Sequence, residues 1–250
     1  MQVTSSGTIL RGWRIRPAAP NGGAVLLLHG VADSRTGMLL HASYLLNSGF
    51  EVLLPDARGH GASGDDLISY GVREATDVAR WADLLAHDPA VSRTYGMGES
   101  MGAAILLQSL QTEHRFQSIV AESPFATFHE VAAYRVHQIA GIPELLAWPI
   151  VKSGFVYARL RYGLDLNRAS PLAAIRHAAI PILLIHGTRD VNIPLRESEE
   201  LHAANPVFTT LWIVEGASHV AAHNIDPQLY ERKVLAWFNS PATHSKLGYY

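Results

Sequence analysis

Short apolar runs rich in Val, Ile and Leu recur along the chain, each bounded by Gly, Pro or Asp and followed by a longer stretch with helical spacing. Unbroken apolar runs of this length suit strands buried on both faces, and the stretches between them suit the crossover helices that parallel strands require. The pattern predicts strands at "AVLLLH" (24–29), "EVLLP" (51–55), "RTYGMG" (93–98), "SIVAES" (118–123), "PILLIHG" (181–187) and "TTLWIVEG" (209–216). Within "GVREATDVARWADLLAHD" (71–88), Val72, Ala75, Val78, Ala79, Ala82 and Leu85 follow helical spacing. The alternation predicts an α/β fold, although periodicity alone fits an open doubly wound sheet and a closed barrel equally well. From Ala126 to Ser170 the rhythm stops: "IPELLAWPIVKSGFVYARLRYGL" (142–164) is apolar, aromatic and interrupted by Pro149, which predicts an insertion of short helices. No repeat or linker divides the chain, so one domain over 1–250 is expected, with "SPATHSKLGYY" as a poorly ordered end.

Composition narrows the function. With 250 residues, 48% of them hydrophobic, the chain can bury a sizeable core. Lys plus Arg number 20 and Asp plus Glu 22, a net charge of −2 with no basic stripe to follow a phosphate backbone, so nucleic acid is not an expected partner. The absence of cysteine excludes a disulfide framework, a thiolate metal site and a cysteine nucleophile. The start "MQVTSSGTILRGW" lacks the charged opening and apolar run of a signal peptide, and no uninterrupted run approaches the ~20 apolar residues of a membrane helix. The chain therefore reads as soluble and cytoplasmic, either as it stands or as a processed form of something longer.

The chemistry centres on Gly98-Glu99-Ser100-Met101-Gly102, a G-x-S-x-G match between a predicted strand and the helical run "AAILLQSLQ". A sharp strand-to-helix turn lifts such a serine into the open, and flanking glycines relieve the crowding of the turn. A dinucleotide-binding loop is the wrong reading, because Gly96, Gly98 and Gly102 do not have its spacing and lie well past the first strand. A serine hydroxyl needs a histidine base and a carboxylate to orient that base. "LLIHGTRDVNIP" ends a later strand and offers Asp190; "WIVEGASHVAAH" ends the next and offers His219. Each candidate sits where parallel strands present side chains to a ligand, so three strand ends converge on one predicted site. The oxyanion of an acyl-transfer intermediate needs two donors, and the backbone N–H groups of Met101 and of Val31, in "LLLHGVADS", are the candidates, with Gly30 allowing a close turn. His219 and His223 form an H-x-x-x-H pair, but Val220 stands where a zincin needs Glu, so no metal is expected.

Taken together, "AVLLLHGVADS", "EVLLPDARGHGASG", "GMGESMGAA", "IVAESPF", "IPILLIHGTRDVNIP" and "VEGASHV" resemble the α/β-hydrolase superfamily, in particular its bacterial serine esterase and prolyl-oligopeptidase-like branches. The resemblance spans about Gly12 to Phe238. It implies a mostly parallel central sheet flanked by helices, with Ser100 as nucleophile, His219 as base, Asp190 as orienting acid, and no cofactor. It also implies that Asp56, Arg58 and Gly59 to Gly61 shape the rim of the site, with His60 structural, and that 126–170 forms a helical cap. Phe125, Phe128, Trp148, Phe155 and Tyr157 are then expected to line an acyl pocket. The expected substrate is a small-molecule ester, neutral and partly hydrophobic. A thioesterase, amidase or peptidase, or a catalytically silent ligand-binding relative, remain alternatives; the missing N-terminal propeller weighs against a peptidase of the prolyl-oligopeptidase type.

Overall fold

The computed structural model describes residues 1–65 and 67–240. Its strands form one eight-stranded sheet in the order β1-β2-β4-β3-β5-β6-β7-β8. They are β1 (Gln2–Ser5), β2 (Thr8–Ile15), β3 (Gly23–Leu28), β4 (Glu51–Pro55), β5 (Arg93–Glu99), β6 (Phe116–Glu122), β7 (Ile182–Gly187) and β8 (Thr209–Val214). All neighbours from β4 to β8 pair in parallel, whereas β1 pairs with β2 and β2 with β4 antiparallel. The sheet is open, which resolves the choice that periodicity left.

Six strands agree with the expected runs to within one or two residues; the β1–β2 hairpin is additional. Its turn residues Ser6 and Gly7 both have positive φ, 49° and 81°, the geometry of a tight hairpin whose twist matches its strands. Only alternate residues of β2 are buried, Leu10 and Gly12, as befits a strand that covers an edge.

Helices cover both faces: α1 (Leu39–Asn47), α2 (Glu74–Ala86), α3 (Met101–Ser109), α4 (Phe128–Ala140), α5 (Glu144–Tyr162), α6 (Pro171–Ile175), α7 (Leu195–Ala204), α8 (Ala222–Ile225) and α9 (Pro227–Asn239). Strand β3 shows how the layers arise. Ala24, Leu26 and Leu28 point into a core shared with α2, α3, α6 and α7, while Val25 and Leu27 point into one shared with α1 and α9. Helix α3 lies deepest, all nine of its residues buried, which holds its N-terminus rigidly against the end of β5.

Between β6 and β7 no strand occurs; α4 and α5 stand there, closed at their C-termini by Gly141 and Gly163, both left-handed with φ 64°. Pro149 does not break α5, which runs continuously for 19 residues. Its ring lies on the exposed side of the helix, so the Leu145 carbonyl that loses its donor is at the surface and open to water. The tail beyond Ser240 falls outside the described residues.

Candidate active site

Ser100 occupies the turn from β5 to α3 with φ 53° and ψ −116°, a conformation costly for a residue with a Cβ. Two close approaches hold it there. A Cβ on Gly98 would stand 2.6 Å from the Gly102 carbonyl carbon, and one on Gly102 would stand 2.2 Å from the Leu28 carbonyl oxygen. The glycines of the motif thus let α3 press onto β5 and β3 at once. The Ser100 amide donates to the Glu122 carbonyl at 2.8 Å, tying the turn to β6.

The structure brings Ser100, His219 and Asp190 together. His219 Nδ1 lies 2.7 Å from Asp190 Oδ2, and its Nε2 lies 2.9 Å from Ser100 Oγ. A carboxylate only accepts, so Nδ1 carries the proton and Nε2 of the neutral ring accepts from the serine hydroxyl. Asp190 is buried, which raises a carboxyl pKa. Hydrogen bonds from His186, His219 and the Ile193 amide more than offset this and hold the group well below its ordinary value. Its Oδ1 accepts from the amides of Asn192 and Ile193, both at 2.9 Å, which fixes the carboxylate plane.

His186 escaped the sequence reading. It is fully buried on β7, where Nε2 lies 2.9 Å from the Ile193 carbonyl and 3.3 Å from Asp190 Oδ2, and Nδ1 accepts from Ser198 at 2.7 Å. The carboxylate therefore has two imidazoles beside it. The signal in the sequence was a histidine four residues before Asp190 at the end of an apolar run.

Val31 and Met101 both line the cavity beside Ser100. Met101 is the first residue of α3, so its N–H has no carbonyl one turn earlier to bond. Gly30 is not left-handed; that backbone state falls at Ala32, φ 59°. A Cβ on Gly30 would meet Ser100 Cβ at 3.5 Å, ordinary contact distance. Two histidines pin the loop. His29 Nε2 accepts from the Ala57 amide at 3.0 Å, and His60 Nε2 accepts from the Ala32 amide at 3.3 Å, their rings 5.2 Å apart. Asp56 is held below its ordinary pKa despite burial by the Arg35 guanidinium and the amides of Ala62 and Arg35. Behind the elbow, buried Glu122 accepts from Tyr230 Oη at 2.6 Å and from the Ala222 amide at 3.0 Å, fastening the segment that carries His219.

The cavity over Ser100 measures about 580 Å³. Phe125 and Phe128 line it, but Trp148, Phe155 and Tyr157 do not. Phe155 stacks behind Phe128 at 5.6 Å, Trp148 packs edge-on to His129 at 4.3 Å, and Tyr157 is 59% exposed. The reason is helical: α5 lies outside α4, so α4 alone presents residues to the cavity. Those residues are Phe128, Val131, Ala132 and Arg135, joined from elsewhere by Tyr70 and Ile193. Arg135 donates to Asn192 Oδ1 at 2.9 Å and puts a cation on an otherwise largely apolar wall. Among the described residues no cluster of three or more His, Cys, Asp or Glu side chains has the arrangement of a metal site. His223 does not line the cavity over Ser100; its Nε2 lies 3.1 Å from Glu231.

Residues 19–170 match the family described as serine aminopeptidase, S33. The chain belongs to this family of α/β hydrolases. It is a serine hydrolase at the level of reaction class. An uncharacterized protein of Bacillus subtilis, YqkD, is 30% identical over 238 residues, covering 94% of this chain and 76% of its own length. The uncharacterized Escherichia coli protein YfhR is 26% identical over 228 residues, covering 88% of this chain and 72% of its own. Among solved structures, the esterase Pf2001 of Pyrococcus furiosus superposes with a TM-score of 0.77 at 25% identity, covering 96% of this chain and 92% of that one. An esterase of Exiguobacterium antarcticum shares the fold at 17% identity and a TM-score of 0.70, covering 96% of this chain and 99% of that one.

Proposed function

We propose that the protein hydrolyses carboxylic esters, of small to medium and partly hydrophobic substrates, through an acyl-enzyme on Ser100. The observation that carries this reading is the Ser100–His219–Asp190 array, with hydrogen bonds of 2.9 and 2.7 Å on a strained strand-to-helix turn. Ser100 Oγ attacks the acyl carbon while His219 Nε2 takes its proton, and His219 then protonates the departing alcohol. Water, deprotonated by the same nitrogen, releases the acid and restores Ser100. The amides of Val31 and Met101 hold the negative oxygen of each tetrahedral intermediate, the latter aided by the positive end of α3. Asp190 keeps the His219 proton on Nδ1 and stabilises the imidazolium.

Helices α4 and α5 serve as the cap, and the acyl group lies against Phe125, Phe128 and Val131. A panel of p-nitrophenyl esters of increasing acyl length is expected to give kcat/KM that peaks and then falls, with Phe128→Ala moving the peak to longer chains. A profile flat in both proteins would contradict an acyl pocket on α4. The description of the matched family favours one second reading, cleavage of an aminoacyl amide. Aminoacyl p-nitroanilides with kcat/KM above that of every ester in the panel would select it.

A further inference from the structure

Helix α5 is apolar on two opposite faces but packed on only one. Ala147, Val151 and Phe155 form its inner stripe, buried in a cluster with Ala133 of α4. At about 3.6 residues per turn, Leu145, Pro149, Val156 and Leu160 fall on the opposite side, with Leu146, Ile150 and Tyr157 beside them. Leu145 is 79% exposed and Leu160 82%. A helix apolar on both faces calls for a second apolar neighbour, and an exposed patch of this kind marks a docking surface.

The charges around the patch indicate what that neighbour is. Exposed Lys152 and Arg159 flank the outer face on one side and exposed Arg161 flanks it on the other. The acid on the helix, Glu144, stands 3.6 Å from Arg196. The Arg161 guanidinium lies 5.0 Å from the Tyr162 ring centre, and the Tyr157 and Tyr162 rings are 6.0 Å apart. The chain as a whole carries −2, so this positive fringe is local. Apolar ridge, aromatic residues and flanking cations with long aliphatic stems together form the pattern of a helix lying in a lipid interface, its charges reaching up to phosphate headgroups. Among the described residues no single helix is long and apolar enough to cross a membrane; α4 and α5 reach that composition only together, and they are bent by 117°.

We propose that the outer face of α5 docks the protein onto the surface of an anionic lipid bilayer. A second copy of the chain fits less well, since a two-fold contact through this face would bring the same cationic flanks of two α5 helices together. Docking leaves only the α5 and α4 layers between the lipid and the cavity, because α4 carries Phe128 and Val131 on the cavity wall and packs on α5 through Ala133. The inference stands whichever acyl bond Ser100 attacks.

Flotation of the full chain with vesicles tests it. Vesicles of phosphatidylcholine containing about a third phosphatidylglycerol should carry the protein upward, roughly tenfold or more better than phosphatidylcholine alone. Raising salt from about 0.05 to about 0.5 M should release it. The double variant Leu145→Glu, Leu160→Glu should remain in the dense fraction. Lys152→Gln with Arg159→Gln should lose the preference for anionic lipid. Both should keep wild-type thermal unfolding and wild-type turnover of a soluble ester. Equal, salt-insensitive recovery with both vesicle types, or no flotation of the wild type, would overturn the proposal. So would a dimer in sedimentation equilibrium that Leu160→Glu dissociates while vesicles bind neither protein. Should a variant fail to fold, the lipid and salt dependence of the wild type decides alone.

Discussion

At the scale of single residues, the site depends on where one proton sits. Asp190 spends one oxygen on the amides of Asn192 and Ile193 and offers the other to His219. In Asp190→Asn the carbonyl oxygen can keep both amide bonds, which turns the new NH₂ toward His219 Nδ1. Nδ1 must then accept, the ring proton moves to Nε2, and Nε2 can no longer take the Ser100 proton as the proposed mechanism requires. The expected loss in kcat on an optimal p-nitrophenyl ester is about 10³- to 10⁴-fold, with KM and thermal unfolding nearly unchanged. A kcat within tenfold of wild type would show that Asp190 does not set the tautomer. That Ser100, Asp190 and His219 come together was legible in the sequence because each follows an apolar run, in the order Ser, Asp, His. His186 was not, because a histidine inside a strand is ordinarily packing, and only the fold brings its Nε2 within 3.3 Å of the carboxylate.

At the scale of elements, strand ends position the candidate site and short ties hold the α4–α5 segment. Residues at the carboxyl ends of β3, β5, β7 and β8 meet because parallel pairing aligns those ends. The segment leading to α4 is tied where it leaves the sheet, by Glu197 of α7, whose carboxylate accepts from the Ala126 amide at 2.9 Å. Burial pushes the Glu197 carboxyl up to about 7, opposed by that hydrogen bond and reinforced by the nearby charge of Glu130. The folded chain thus holds this proton more tightly than the unfolded chain, whose carboxyl has its ordinary value near 4.5. Stability from this group is full below the unfolded value and is lost as pH rises through about 7, a change of about 3 kcal/mol. Glu197→Gln keeps an acceptor for Ala126 and removes the titration. Its Tm should gain on wild type by several degrees between pH 5 and pH 8; parallel Tm curves would contradict the assignment. Which residues of α4 and α5 face the cavity was illegible because an aromatic run such as 142–164 shows no preferred face. Phe155 and Tyr157 differ by two residues, yet one is buried behind Phe128 and the other is exposed.

For the whole molecule, the sheet core was readable and its edge was not. Fully buried strands such as β3, β4 and β7 are continuous apolar runs that only an interior can accommodate, so their bounds follow from composition. The β1–β2 hairpin, half exposed and carrying Arg11 and Arg14, reads as an ordinary polar terminus until its partner β4 is in place. What the assembled fold adds is convergence: cores on the two sheet faces hold four strand ends rigid, and the site is built from loops that leave those ends. The central claim is that this convergence makes Ser100 a nucleophile. The most direct measurement is reaction with an active-site-directed fluorophosphonate followed by peptide mass mapping. One phosphonyl group is expected per chain, on the peptide that contains Ser100, and none on Ser100→Ala, which should also have lost ester turnover by about 10⁴-fold or more. Label on any other peptide, or ester turnover by Ser100→Ala equal to wild type, would contradict it.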